Sequence, residues 1–224
     1  MTPRFDPGSR SRLNHRHLGR FPGQTLFDRV ARAVCEADCL PRKELFESWE
    51  VARRVRRRVR GRRVVEFAAG HALVAHLMLL LDDSSETAVA IDVKPVPSAD
   101  RLAEILVSHW PRLEGRVERR VGDLTTADLE DGDLAVSVHA CGALSDTVLD
   151  RAIDARSVVA LLPCCHDAET CDTGRLTGFL SIPLAVDATR VARLRAAGYD
   201  VFTQTIPTQI TPENRLILGV PAGD

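Results

Sequence analysis

Residues 62–83, RRVVEFAAGHALVAHLMLLLDD, decide the fold of this 224-residue chain. Val64, Val65 and Phe67 make a short β-branched and aromatic run, the composition of a strand. The run breaks at Ala68-Ala69-Gly70-His71-Ala72, and an apolar stretch of helical length follows from Leu73. Strand, small-residue loop and helix together are the first half of a crossover unit. The same rhythm recurs downstream. Residues 87–93 read as a strand ending in an acidic residue, 98–113 as an amphipathic helix, 115–124 as a third strand and 133–142 as a fourth. Residues 143–154 are a helix, 157–166 a strand, 187–198 a helix closed by Gly198, and 199–207 and 215–221 two further strands.

Strands alternating with helices of ~10–15 residues predict an α/β, doubly wound, seven-stranded and mostly parallel sheet. The last two strands are joined only by TQITPEN, residues 208–214. That segment is too short for a parallel crossover, so the chain is expected to end in an antiparallel hairpin. Upstream, residues 1–24 are rich in Arg, Pro, Gly and His without periodicity, as in an arm or irregular lead-in. Residues 25–38 form a helix capped by Thr25, and a second helix opens after Pro41 and runs to Gly61. Leu45, Trp49, Ala52, Val55 and Val59 line one face of it, and Arg53, Arg54, Arg56, Arg57, Arg58 and Arg60 the opposite one. The expected division is a basic arm and helical N-terminal extension over 1–60, followed by the sheet domain over 61–224.

Composition narrows the function classes. With 45% hydrophobic and 27% charged residues the chain is not disordered, and no apolar run approaches the ~18 residues of a membrane span. The basic first 20 residues lack the apolar core of a secretory signal, so a cytoplasmic address is expected. The net charge of −1 conceals an asymmetry: residues 1–66 hold 17 Lys/Arg against 8 Asp/Glu. Such a front suggests an anionic partner, nucleic acid being the commonest, unless the two halves simply neutralise one another. Six cysteines in a chain of this length are not a disulfide framework. Cys164-Cys165-His166 with Cys171 superficially suggests a metal site, but zinc hooks space their cysteines as C-x2–4-C, so no metal is expected.

In doubly wound sheets the ligand lies beyond the carboxyl ends of the strands. A dinucleotide fingerprint needs G-x-G-x-x-G; with Ala68 and Gly70 on its first two glycines, Leu73 falls where helix packing wants a small residue. Glu66-Phe67-Ala68-Ala69-Gly70-His71-Ala72 instead resembles motif I, (D/E)-x-G-x-G-x-G, of class I S-adenosylmethionine-dependent methyltransferases, with Ala at the first and third glycines. The resemblance implies that Glu66, Ala68, Gly70, His71 and Ala72 border the cofactor. It makes Asp92, 22 residues after Gly70, the carboxylate for both ribose hydroxyls, and sets Asp123 and Leu124 against the adenine. His139-Ala140-Cys141-Gly142-Ala143-Leu144-Ser145-Asp146 and Pro163-Cys164-Cys165-His166 are similar to a subgroup with H-x-C-G-x-x-(S/T)-D and C-C-(H/Y) signatures. That subgroup includes the eukaryotic tRNA 2′-O-methyltransferase with a CHHC zinc finger and a methyltransferase-like domain of a glutathione-transferase C-terminal-domain protein. It implies S-adenosyl-L-methionine as cofactor and RNA, tRNA especially, as substrate, contacted through the arginines at 53–60.

A hydroxyl acceptor would need proton removal. His139, at the fourth strand end beside the cofactor, is the first candidate base and equally a residue that shapes the pocket. His166 is the second, and Asn214 in Ile210-Thr211-Pro212-Glu213-Asn214-Arg215 could face the pocket. Cys141 would be nucleophilic only with a lowered pKa, and Asp146 reads as a first-turn charge. A Lys-Asp-Lys-Glu tetrad is excluded, because Lys43 and Lys94 are the only lysines and neither stands at a matching place. The alternatives are a small-molecule or protein acceptor, or a methyltransferase-like protein that binds without catalysis.

Overall fold

A computed structural model describes residues 5–223. Helices α1 (Leu26–Ala37) and α2 (Arg42–Val55) precede β1 (Val64–Phe67) and α3 (Leu73–Leu81). Then come β2 (Ala88–Asp92), α4 (Ser98–His109), β3 (Val117–Val121), β4 (Leu134–Ser137) and α5 (Ala143–Asp154). The chain continues through β5 (Val158–Leu161), α6 (Ile182–Ala196), β6 (Tyr199–Thr205) and β7 (Arg215–Pro221). The seven strands form one sheet in the order β3-β2-β1-β4-β5-β7-β6. β7 runs antiparallel to both β5 and β6, as the short connection required, and the other pairings are parallel.

The strand residues alternate between two cores, the two-residue period of a pleated strand. Val64, Ala88, Ala90, Leu134, Val136, Val158 and Ala160 pack against α1–α4; Val65, Val89, Ile91, Ala135 and Val159 pack against α5 and α6. Central strands β1, β4 and β5 are buried throughout, which is why they read as continuous apolar runs. Edge strand β3, Val-Glu-Arg-Arg-Val, is mostly exposed, and its charges protect an open sheet edge. The first core extends upstream through Val55, Val34, Phe21 and Leu13, so the N-terminal helices and part of the lead-in cover this face of the sheet.

The lead-in contains a 3₁₀ turn, His15–Arg20, closed by a capping box between Asn14 and His17. Residues 1–4 of the expected arm, and Asp224, lie outside the described residues. Thr25 caps α1 as expected, accepting from the Asp28 amide. α2 is shorter than expected. It stops at Val55, and Arg57, Arg58 and Val59 continue in tight turns onto Arg54 and Val55. A helix running to Arg60 would stack Arg53 on Arg57, Arg54 on Arg58 and Arg56 on Arg60, and like charges four apart oppose it. The turn keeps Val59 buried while releasing the arginines around it. α4 stops short of Pro111, which cannot continue a helix. α6 begins at Ile182 rather than Asp187, since Pro183 is tolerated in a first turn.

Candidate cofactor and acceptor site

The carboxyl ends of β1, β2 and β3 enclose a cavity of about 130 Å³ lined by Ala69, Gly70, Asp92, Pro97, Asp100 and Arg119, among others. Ala68, Gly70 and Ala72 have φ of +51°, +50° and +59°. Three alternate residues in the left-handed region explain why a loop of this shape favours glycine at each; the two alanines carry a strain of ~1 kcal/mol apiece. A Cβ at Gly70 would meet nothing within 4 Å, so the space above it is open to a ligand. The Gly70 amide donates to Asp92 Oδ2 at 2.9 Å, and Asp92 Oδ1 accepts from the Lys94 amide at 3.2 Å. A carboxylate has about four acceptor positions, so those left over can receive two vicinal hydroxyls. His71 Nε2 lies 2.8 Å from Ser98 Oγ, pinning the loop to the start of α4, and burial pushes its pKa down.

Three residues expected at the cofactor have side chains engaged within the protein. Glu66 is buried beneath the loop, where Oε2 accepts from the Ala75 amide at 2.7 Å and so caps the first turn of α3. Burial raises its pKa to about 8 against the pull of the Ala75 and Val74 amides. The exposed Asp123 accepts from the Thr125 amide and hydroxyl, both at 2.8 Å, to cap a 3₁₀ turn, and these bonds hold its pKa below the usual range. The Leu124 side chain packs into the second core.

At the ends of β4 and β5 the chemistry is different. Ser137 Oγ donates to the Phe67 carbonyl and accepts from the Ala140 amide, tying the loop after β4 to the loop after β1. His139 follows directly. Burial, together with the positive charge of Lys43 on α2, pushes its pKa down to about 4. The ring is therefore neutral at physiological pH: well placed to accept a hydrogen bond, weak as a proton sink.

His166 is held in the framework. Its side chain is 2% exposed, with Nε2 2.8 Å from Asp187 Oδ1 and Nδ1 3.4 Å from Glu213 Oε2. Asp187 also pairs with Arg215 at 2.6 Å, and the buried Arg190 lies 2.7 Å from Asp146. Asp146 stands in the first turn of α5 as expected, and it also pairs with Arg190 and Arg193 across α5 and α6. Asn214 is likewise turned inward: its Nδ2 donates to the Ile206 carbonyl at 2.7 Å while the Ile206 amide returns to the Asn214 carbonyl, closing the last hairpin. Neither side chain is free to meet a substrate in this arrangement.

The cysteines regroup. Cys141, after β4, joins Cys164 and Cys165, after β5, with Sγ separations of 2.7 Å (141–164), 3.4 Å (141–165) and 3.8 Å (164–165). Cys171 instead lies 3.7 Å from the Arg190 guanidinium, and His166 faces Asp187. Burial raises the pKa of both Cys141 and Cys164, and their neighbouring sulfurs raise Cys164 further, so an activated Cys141 nucleophile is not what this geometry makes.

The six arginines also separate. Arg53 and Arg54 both engage Glu50, and Arg54 donates to the Thr205 carbonyl. Arg58 lies 4.0 Å over the Phe202 ring, Arg56 is half-buried, and Arg57, Arg58 and Arg60 are exposed. The start of α2 contributes what sequence reasoning missed. Lys43 bears on both His139 and Cys141, and Glu44 has a pKa raised to about 7 by burial and by Glu47. Charged residues opening a helix read as solvated, and only the packing of α2 over the sheet shows otherwise.

A family model described as a methyltransferase domain matches residues 44–171, more than half of the chain, from the start of α2 to Cys171. No functionally curated protein matches the sequence. Among solved structures, an O-methyltransferase family protein from Burkholderia thailandensis superposes with a TM-score of 0.51 at 18% identity, covering 93% of this chain and 68% of its own. The S-adenosylmethionine-dependent methyltransferase SibL in its apo form gives 0.50 at 18%, covering 96% and 66%. The methyltransferase domain of bacterial CtHen1 gives 0.54 at 13%, covering 80% of this chain and 100% of its own. This chain spans about two thirds of the first two, and at these identities the likeness is one of fold. The order of the seven strands, the left-handed loop beside Asp92 and the matched span together place the chain in the methyltransferase-domain family, with a Rossmann-like methyltransferase fold.

Proposed function

We propose that this protein transfers a methyl group from S-adenosylmethionine to an acceptor held over the ends of β4 and β5. It would belong to the subgroup marked by His139-Ala140-Cys141-Gly142 and Pro163-Cys164-Cys165-His166, and work in the cytoplasm, where its six free cysteines stay reduced. One observation carries the cofactor reading: the open space over Gly70 stands directly beside a carboxylate with acceptor positions to spare. The donor set fits, since Asp92 can hold two ribose hydroxyls and the strained loop brings backbone close to a ligand.

Bound there, the cofactor supplies an electrophilic methyl group on a sulfonium. The protein's task is alignment of acceptor and methyl, which is where most of the rate of an in-line displacement originates. The loop after β4, tied down through Ser137, sets the acceptor side. His139, neutral and influenced by Lys43, orients an acceptor hydroxyl or amine by accepting a hydrogen bond from it, and the proton leaves to solvent as the methyl group arrives.

RNA is the acceptor we propose to test first. The exposed Arg57, Arg58 and Arg60 favour it; the scarcity of aromatics, 4% of the chain, argues for contact with phosphates rather than stacked bases. A small-molecule or protein acceptor is the second reading, favoured by the charged start of α2 over His139. Calorimetry with S-adenosylmethionine comes first, and absence of binding defeats the cofactor reading. Transfer of a tritiated methyl group to fractionated RNA, protein and small-molecule pools then identifies the acceptor; binding without transfer to any pool indicates a non-catalytic protein. RNA binding that does not weaken steeply with salt removes the role of the arginines.

A further inference from the structure

We infer that Cys141, Cys164 and Cys165 form a binding site for one soft divalent cation of the zinc class. Thiolates are the ligands such ions prefer, and three of them converge from two separate strand ends. In a tetrahedral site with Zn–S of ~2.3 Å the sulfurs stand ~3.8 Å apart. The Cys164–Cys165 pair is already at 3.8 Å, and the other two separations, 3.4 and 2.7 Å, need to open by about 0.4 and 1.1 Å. Adjacent cysteines are an unpromising chelate on a regular strand, where successive side chains point to opposite faces. Here β5 has ended at Leu161, and the irregular chain beyond it brings both thiols to Cys141.

Two further features suit a cation there. Gly142, with φ +57° and ψ −129°, holds a backbone conformation that other residues rarely adopt, and it sets Cys141 immediately before α5. Binding releases three thiol protons to solvent and leaves three thiolates around a dication, one net negative charge. The amino end of α5, starting at Ala143, and the ammonium of Lys43 both oppose that charge. Among the described residues no fourth His, Cys, Asp or Glu joins the group, so the fourth position belongs to exchangeable solvent, as in open zinc sites.

The inference does not depend on methyl transfer and is tested without it. The full chain, stripped with chelator under reducing conditions, is reloaded with Zn²⁺ or Co²⁺, desalted and analysed for metal. One ion per chain is expected, with Co²⁺ giving a thiolate-to-cobalt charge-transfer band. C141S and the double variant C164S/C165S are expected to retain about none, and C39S, whose thiol lies outside the group, to retain the full ion. The charge-transfer band in the wild type identifies sulfur ligands even where a variant folds poorly. Equal loading of C141S and wild type would falsify the site, as would a wild-type chain that takes no metal, or a Cys141–Cys164 disulfide in protein whose thiols were blocked at lysis.

Discussion

The two halves of the sheet build their strand ends in different ways. On the β1–β2–β3 side the site is made of backbone and side chains close by at the strand ends: three left-handed residues, an open space over Gly70, Asp92 clasping the loop, and Asp100 and Arg119 in the wall. On the β4–β5–β7 side it is made of side chains brought from distant parts of the chain, with His166 of the β5 loop, Asp187 and Arg190 of α6, and Arg215 of β7 in one buried network. The first half presents a shape that any ligand with vicinal hydroxyls and a flat body can use. The second is held together by ion pairs between elements far apart in the chain. The contrast also explains why His166 and Asn214 are engaged within the protein: buried charges and polar groups need partners, and these two find theirs in Asp187 and in the Ile206 carbonyl.

The comparison can be broken most forcefully at Arg190, whose side chain is 1% exposed between Asp146 and Asp187. Arg190→Met removes one partner of a buried network and should cost about 3–5 kcal/mol, a fall in Tm of roughly 10 °C. A neutral result by thermal denaturation would mean the network is slack and would return His166 to the catalytic candidates. Next is Asp92→Ala, which removes charge-assisted hydrogen bonds to the loop and to the ligand. A loss of about 2–3 kcal/mol in cofactor binding, some 30- to 150-fold in Kd by calorimetry, is expected, with little change in Tm. Unchanged affinity would take the ribose contact away from β2.

Glu66 sharpens the comparison through pH. Its folded pKa of about 8 lies above the ordinary carboxylate value, so the native state favours its protonated form. Its contribution to stability is complete below the unfolded value near 4.5 and is lost as pH rises through about 8. Stability of the wild type should therefore decline across that window, and Glu66→Gln should flatten the decline; parallel Tm–pH curves would show the carboxylate to be ionised under the loop. The smallest effect is expected at Ala68→Gly. Relief of ~1 kcal/mol of left-handed strain is offset by the greater freedom of glycine in the unfolded chain, leaving Tm within a degree or two and cofactor affinity unaltered.

Legibility followed the same division. Gly70 and Asp92 could be read because a loop and a strand end carry their chemistry locally. Glu66 sits in the same motif but faces the helix, and no spacing rule says to which side a strand-end carboxylate turns. His139 was found by its place after the fourth strand. Its neutrality was not, because burial under distant parts of the chain sets it, helped by the charge of Lys43 almost a hundred positions earlier. Cys141 was read apart from Cys164 and Cys165 for a related reason: proximity along the chain favoured Cys171 and His166, while proximity in space favoured the neighbouring strand.

What the sequence determined by itself was the scaffold. Alternating strand and helix periods, a connection too short for a crossover, and small residues after the first strand each act over a few residues, and local sterics and hydrogen bonding suffice to read them. The tertiary structure alone decided which polar groups are engaged and which are free. Pairing of buried charges and thiols depends on which strand ends adjoin, and in the order β3-β2-β1-β4-β5-β7-β6 those neighbours are far apart in the chain.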